Sequence, residues 1–311
     1  MTRILVTGAN GFIGRHVLPL LCAAGFDVHA VCTRESTFPP EVSPHVADLL
    51  SCEQQRAVLR EVRPSHLLHL AWHVPPGEFW TAMENVAWLR ASLRLLENFG
   101  AAGGKRWVAA GTCAEYDWST QGYWKETDPL GPSTLYGACK SSTQLTAIQM
   151  GRALHVDVAW GRIFSPYGPG EPEGRLIPSV ICALMGERLA RCTEGLQVRD
   201  FMFVEDVARA FELLVSGTFT GLVNIASGMT ASVREVVTEI GRQMGRPELI
   251  AFGAIPTRTF EPPRLTANVE RLRSLGFQPK YTIEQGLART IEWWASNRRL
   301  EARSTPSDER I

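Results

Sequence analysis

The sequence predicts an α/β protein: a doubly wound parallel sheet followed by a smaller C-terminal lobe. Three observations carry that expectation. The apolar run Ile4, Leu5, Val6 turns into three glycines, Gly8, Gly11 and Gly14, and an apolar-periodic segment follows through Val17, Leu18, Leu20 and Leu21. Strand-like and helical stretches then alternate as far as Gly161, the pattern of a parallel sheet with helices on both faces. Beyond Gly161 the alternation is broken by Pro166, Pro169 and Pro172, and the texture changes.

Taken in order, residues 4–7 read as a buried strand and residues 12–24 as the first helix. The Gly-x-x-Gly-x-x-Gly turn between them has the chemistry of a pyrophosphate site. Glycine lets the backbone turn sharply and approach the anion without Cβ atoms in the way, and a helix start offers free N–H groups. Residues 27–32, 45–47, 66–71, 106–110 and 156–161 read as further strands, with helices over 53–62, 80–99 and 135–154. This is a Rossmann-type arrangement. Helices over 176–185, 205–215, 233–244 and 283–296 follow, with short strands near 198–204, 222–225 and 249–252. The expected division is a dinucleotide-binding domain over 1–165, joined by parts of 200–230, and mainly a substrate-binding lobe over 166–297. Residues 298–311 are charged and poor in apolar side chains, which predicts a disordered tail.

Composition narrows the partners. The 311 residues are 45% hydrophobic, enough for one large core or two modest ones. Thirty-two basic and thirty-two acidic side chains cancel, so no basic field exists to attract nucleic acid or an anionic membrane. No apolar run nears the roughly 20 residues that span a bilayer, and no basic-and-apolar leader precedes the first strand. Seven scattered cysteines without a Cys-x-x-Cys pair argue against a disulfide framework or a zinc centre. The expectation is a cytoplasmic protein without a metal.

The second strand ends Val31-Cys32-Thr33-Arg34. An NAD-binding fold usually carries Asp or Glu here for the adenosine ribose; a guanidinium at Arg34 suits a 2′-phosphate instead and predicts a preference for NADP over NAD. Asp48 and Leu49 fall near the adenine edge, where Asp48 also reads as a helix cap. Tyr136 and Lys140 lie four apart and share a helix face, so the ammonium favours the phenolate and tunes a general acid/base. Thr112, at the end of the fifth strand, adds a hydroxyl that can bond the carbonyl or alcohol on which the tyrosine acts.

These motifs, with His69-Leu70-Ala71, Asn85, Arg162-Ile163-Phe164, Tyr167-Gly168-Pro169-Gly170, Val198-Arg199-Asp200-Phe201 and Asn224-Ile225-Ala226-Ser227-Gly228, resemble the extended short-chain dehydrogenase/reductases of the nucleotide-sugar epimerase/dehydratase family. The resemblance implies that Thr112, Tyr136 and Lys140 are the catalytic set, Lys140 also holding the nicotinamide ribose. It implies cofactor contacts from Gly8, Asn10, Gly11, Phe12, Ile13 and Gly14, then from Leu70, Ala71, Trp72, Asn85 and Ile163. It places the substrate diphosphate on Arg199, with Arg258 as a second contact. It also implies a homodimer through a four-helix bundle built from residues 80–99 and 135–154.

Departures from the family pattern narrow the activity. Sugar-nucleotide 4,6-dehydratases carry Asp-Glu directly after the catalytic Thr, whereas this chain has Cys113 and Ala114. Ser165 replaces an asparagine found in many relatives. Glu115 reads as a sugar-hydroxyl acceptor or an exposed residue, and His73 lies near the predicted nicotinamide pocket. The rings of Trp72, Trp80, Tyr116, Trp118, Tyr123 and Trp124 read either as a sugar subsite or as packing. The sequence thus points to NADPH-dependent reduction of a keto group, at C4, of a nucleotide-linked deoxysugar, with Tyr136 as general acid. A nucleotide-sugar 4-epimerase with tightly bound NAD is the alternative, and a non-catalytic NADP-binding protein the third reading.

Overall fold

The computed structural model describes residues 1–119, 122–257 and 262–304, and of 298–304 only the backbone path. The chain begins with β1 (Arg3–Thr7), α1 (Gly14–Ala23), β2 (Asp27–Cys32), β3 (Val42–Val46), α2 (Cys52–Val62), β4 (His66–His69), α3 (Glu84–Ala101) and β5 (Arg106–Thr112). A short β6 (Tyr123–Trp124) leaves the main sheet. Next come α4 (Leu135–Leu154), β7 (Asp157–Ile163), β8 (Ser165–Tyr167), α5 (Leu176–Met185), β9 (Ala190–Arg191), β10 (Val198–Phe203), α6 (Val204–Ser216) and β11 (Gly221–Ile225). The chain continues through β12 (Thr230–Ser232), α7 (Val233–Met244), β13 (Ile250–Ala251), β14 (Arg264–Ala267) and α8 (Glu270–Ser274) to α9 (Ile283–Ser304).

The large sheet has the order β11-β7-β5-β4-β1-β2-β3, and every pair in it is parallel. The middles of its central strands are apolar because both faces are covered. Ile4 and Val6 face a core completed by α1 and α6, while Leu5 faces the opposite core of α2, α3 and α4. Each fully buried side chain of this kind contributes about 1.5–3 kcal/mol. A second sheet runs β12-β10-β14-β6, with β8 also on β10, and a third core under it joins α5, α7 and α9.

Several elements differ from expectation. The first helix starts at Gly14 rather than residue 12, because the glycine loop occupies the intervening turn. α3 starts at Glu84 rather than residue 80, since the carbonyl of Trp80 accepts the N–H of Tyr136 instead of opening a helix. The last helix reaches Ser304, so 298–304 is helical rather than disordered, and 305–311 lies outside the described residues. β6 and β14 were invisible as strands: they pair Thr266 with Tyr123 across a long chain separation, which no local periodicity encodes.

Candidate active site

The cleft lies at the carboxyl ends of the parallel strands, where an open α/β sheet presents its loops. Its volume is about 820 Å³. One end is the glycine loop. Gly8 sits at φ +67° with its backbone against β4's outgoing chain, so that an added Cβ would lie 2.8 Å from the Ala71 nitrogen. At Gly14 an added Cβ would collide with the carbonyls of Gly8 and Ala9. No side chain caps the start of α1; the Arg15 and His16 N–H groups bond the Gly11 and Ile13 carbonyls, and the positive end of the helix faces the cleft through the glycine turn. Asn10, Gly11, Phe12 and Ile13 complete this wall. The cradle fits a dinucleotide pyrophosphate.

Behind it stands a buried network that the sequence did not reveal. The His69 Nδ1 lies 2.8 Å from the Thr7 hydroxyl, its Nε2 lies 2.8 Å from Ser92, and the Thr7 hydroxyl accepts the Ala71 N–H. Burial pulls the imidazole down to about 3, with Lys140's charge adding to the effect, so His69 is neutral and pins β4 to β1.

Thr112 and Tyr136 share the cleft wall, near enough for the Thr112 hydroxyl to lower the phenol's proton affinity. Thr112 ends β5, and Tyr136 stands in the first turn of α4, which Thr134 caps through the Gly137 N–H. Burial raises the phenol well above its ordinary value; the neighbouring Thr112 hydroxyl and the charge of Arg175 pull it back, while Cys113 and Glu115 push it up. Among the described residues no hydrogen bond joins Lys140 to the phenol, contrary to expectation. Its Nζ donates to the Ala110 carbonyl at 2.9 Å and lies 3.8 Å from the centre of the Trp72 ring. Burial draws this ammonium down to about 7, against the opposing pull of Glu115. Trp72 therefore covers the lysine, and its indole N–H donates to Asn85 Oδ1 at 2.8 Å.

The other predicted residues divide clearly. Leu49, Leu70, Ala71, Trp72, Cys113, Ile163, Ser165 and Arg199 all line the cleft. Asn85 does not: it is buried behind Trp72, donating to the carbonyls of Phe79 and Ala82, and serves that turn. Arg34 is exposed at the rim beside Thr33, which lines the wall, and Ser36 donates to the Arg34 carbonyl. Asp48 is exposed and accepts the Leu50 N–H; the cap of α2 is Ser51. His73 likewise falls outside the wall, between Trp72 and Val74 that line it. Arg258 lies outside the described residues.

Glu115 is neither exposed nor free for a sugar. It has no solvent exposure, and its Oε1 accepts the Thr112 N–H at 2.8 Å and the Trp160 indole N–H at 3.0 Å. Its Oε2 receives the Arg162 Nε at 2.7 Å, and Arg162 also donates to Gln144 and to the Glu126 carbonyl. The carboxylate orients the end of β5 from behind. The aromatic cluster splits in two. Trp72, Trp80 and Trp118 pack with Phe79 around Tyr136 in the cleft, whereas Tyr116 stacks on Trp124 at 5.1 Å in a separate core and Tyr123 is exposed. Two further wall residues were missed, Glu171 and Arg175, although an acid and a base four apart in a Pro/Gly loop were there to be read.

A doubly wound parallel sheet with this glycine loop, and with Thr112 and Tyr136 at its carboxyl edge, defines a dinucleotide-dependent enzyme. The chain belongs to the NAD dependent epimerase/dehydratase family, which it matches over residues 4–226. It is 27% identical over 318 residues to a dTDP-glucose 4,6-dehydratase of Streptomyces griseus, covering 96% of this chain and 95% of that one. It is 29% identical over 323 residues to a UDP-glucose 4-epimerase of Azospirillum brasilense, covering 94% and 91%. Among solved structures, MoeE5 in complex with UDP-glucuronic acid and NAD is 33% identical, with a TM-score of 0.84 over 95% of this chain and 99% of that one. Among the described residues no helix is long and apolar enough to cross a membrane, and no cluster of three or more His, Cys, Asp or Glu could hold a metal.

Proposed function

We propose that the protein is a nucleotide-sugar 4-epimerase working with NAD. The observation that carries this reading is the Thr112–Tyr136 pair in the cleft wall beside Cys113 and Ala114. A hydroxyl and a phenol serve proton transfer at an alcohol or carbonyl oxygen, whereas neither a buried thiol nor an alanine can act as the acid and base that water elimination needs. Burial pushes the Cys113 thiol up to about 12, which leaves it inert as a base.

Bound at the glycine loop, NAD would supply the hydride acceptor and donor. The chain's own residues do the rest. Gly8, Gly11, Gly14 and the start of α1 would hold the pyrophosphate. Tyr136 takes the proton from the sugar hydroxyl and returns it, and Thr112 steadies the same oxygen. Lys140 would support the phenolate and the nicotinamide ribose, which requires Trp72 to yield the face it now covers. Arg199 would bind the diphosphate of the sugar nucleotide. The similarity to MoeE5 with bound NAD supports NAD as the resident cofactor. A homodimer across α3 and α4 is part of the same proposal.

One observation favours the second reading, NADPH-dependent reduction of a 4-keto deoxysugar: Cys32 and Thr33 stand where an acid would bind the NAD ribose. Denaturing the purified protein and identifying the released nucleotide decides between them. Tightly held NAD supports the epimerase; an empty protein that takes up NADPH and oxidises it with a nucleotide-linked 4-keto sugar supports the reductase. In either case Tyr136→Phe abolishes turnover and leaves cofactor binding intact; full activity in that variant removes both readings.

A further inference from the structure

The loop between β8 and α5 crosses the cleft. The His16 Nε2 lies 2.8 Å from the Pro169 carbonyl, which ties one end of the loop to α1 beside the glycine turn. Gly174, at the other end, lies against Pro76, on the segment that carries Phe79 and Trp80 to Tyr136. Two turns shape the span, closed by the Glu171 N–H on the Gly168 carbonyl and the Arg175 N–H on the Pro172 carbonyl. They bring Glu171 and Arg175 into the cleft wall together.

The two side chains form an unequal pair. Glu171 is 5% exposed, and its Oε1 lies 3.5 Å from the Arg175 Nε. Its Oε2 is buried without a hydrogen-bond partner, so the arginine is the only side chain paired with this carboxylate among the described residues. Arg175 is 39% exposed and near enough to Tyr136 for its charge to lower the phenol's proton affinity. Fold stability gives no reason for an acid here: buried carboxylates with one oxygen unsatisfied are costly.

Charge supplies the reason. A nucleoside diphosphate sugar brings its negative charges to Arg199, and a uronate would add another beside Tyr136. Arg175 is the guanidinium in position to meet it, and Glu171 cancels that guanidinium. We infer that Glu171 is a specificity-determining residue of the sugar subsite, holding Arg175 neutralised so that the cleft takes a neutral hexose in preference to a uronate. The inference rests on the nucleotide-sugar reading above.

The test is isothermal titration at about pH 8.5, where Glu171 is ionised, of the NAD-loaded protein with the glucose and glucuronate esters of whichever of UDP, dTDP and GDP binds it. The wild type is expected to bind the glucose ester at least about tenfold more tightly. Glu171→Gln brings the two affinities together or reverses them, and adding Arg175→Gln to that variant removes the gain for glucuronate. Should Glu171→Gln fail to fold, Arg175→Gln alone serves: it weakens the glucuronate ester further and spares the glucose ester. A wild type that binds both esters equally, or a glucose-to-glucuronate ratio within about twofold of wild type in Glu171→Gln, overturns the assignment. Failure of all three nucleotides and their sugars to bind the wild type sinks the nucleotide-sugar reading itself.

Discussion

Glu115 and Glu171 are both buried carboxylates within the same site, and they are built in opposite ways. Behind β5, Glu115 spends both oxygens on Thr112, Trp160 and Arg162, and the arginine in turn is saturated by Gln144 and the Glu126 carbonyl. Across the cleft, Glu171 has one loose ion pair, the Gly168 backbone beside it, one oxygen without a hydrogen-bond partner and a carboxyl pushed up to about 7, chiefly by burial. Complete satisfaction marks a group that holds the frame; incomplete satisfaction marks a group kept for a ligand.

The comparison is easiest to break from the satisfied side. Glu115→Ala leaves Arg162 charged, buried and without its partner, and should cost about 3–5 kcal/mol of folding stability. Chemical denaturation measures it directly. Activity should fall with the fold, because Thr112 loses the bond that fixes its backbone. A loss under about 1 kcal/mol would mean that the Arg162 network is not the frame described here.

Lys140 tests the same contrast with the opposite charge. Its ammonium has one carbonyl and an indole face for company, and burial takes it from 10.5 to about 7. The sign follows from proton counting. Above about 10.5 both states are neutral; as pH falls towards 7 the unfolded chain gains a proton that the folded chain resists, so the native state loses stability and the full penalty stands below 7. Lys140→Met should therefore melt higher than wild type near pH 6, by about 2–4 °C for each kcal/mol recovered, while turnover is lost. The advantage should shrink as pH rises towards 10. A melting difference flat with pH would show that the lysine is not buried as a charge.

What the sequence made legible was local. Gly8, Gly11 and Gly14 announce their turn by spacing, and Tyr136 and Lys140 announce a helix face by being four apart. Spacing could not say that Lys140 would bond the Ala110 carbonyl, because Trp72 arrives from the segment after β4 to cover it. Glu115 reads as a surface or substrate residue until Trp160 and Arg162 come in from β7. Arg34 is exposed directly after Thr33, which lines the wall, and where its guanidinium reaches depends on how the chain turns there. Contacts between distant segments decide all of these, and one-dimensional pattern carries none of them.

The smallest effect is the sharpest test of the unsatisfied side. Glu171 rises from 4.5 in the unfolded chain to about 7 in the fold, so its stabilising protonated form is fully present below 4.5 and that contribution is lost as pH climbs through 7. Glu171→Gln keeps the shape and removes the titration. The variant should match wild type near pH 4 and melt a few degrees above it, about 2–4 °C per kcal/mol, near pH 8. This is the reverse of the pH order expected for Lys140→Met, so one series of melts separates the two groups. If Glu171→Gln instead melts below wild type at pH 8, the Arg175 ion pair outweighs the unpaired oxygen, and Glu171 belongs with Glu115 as part of the frame.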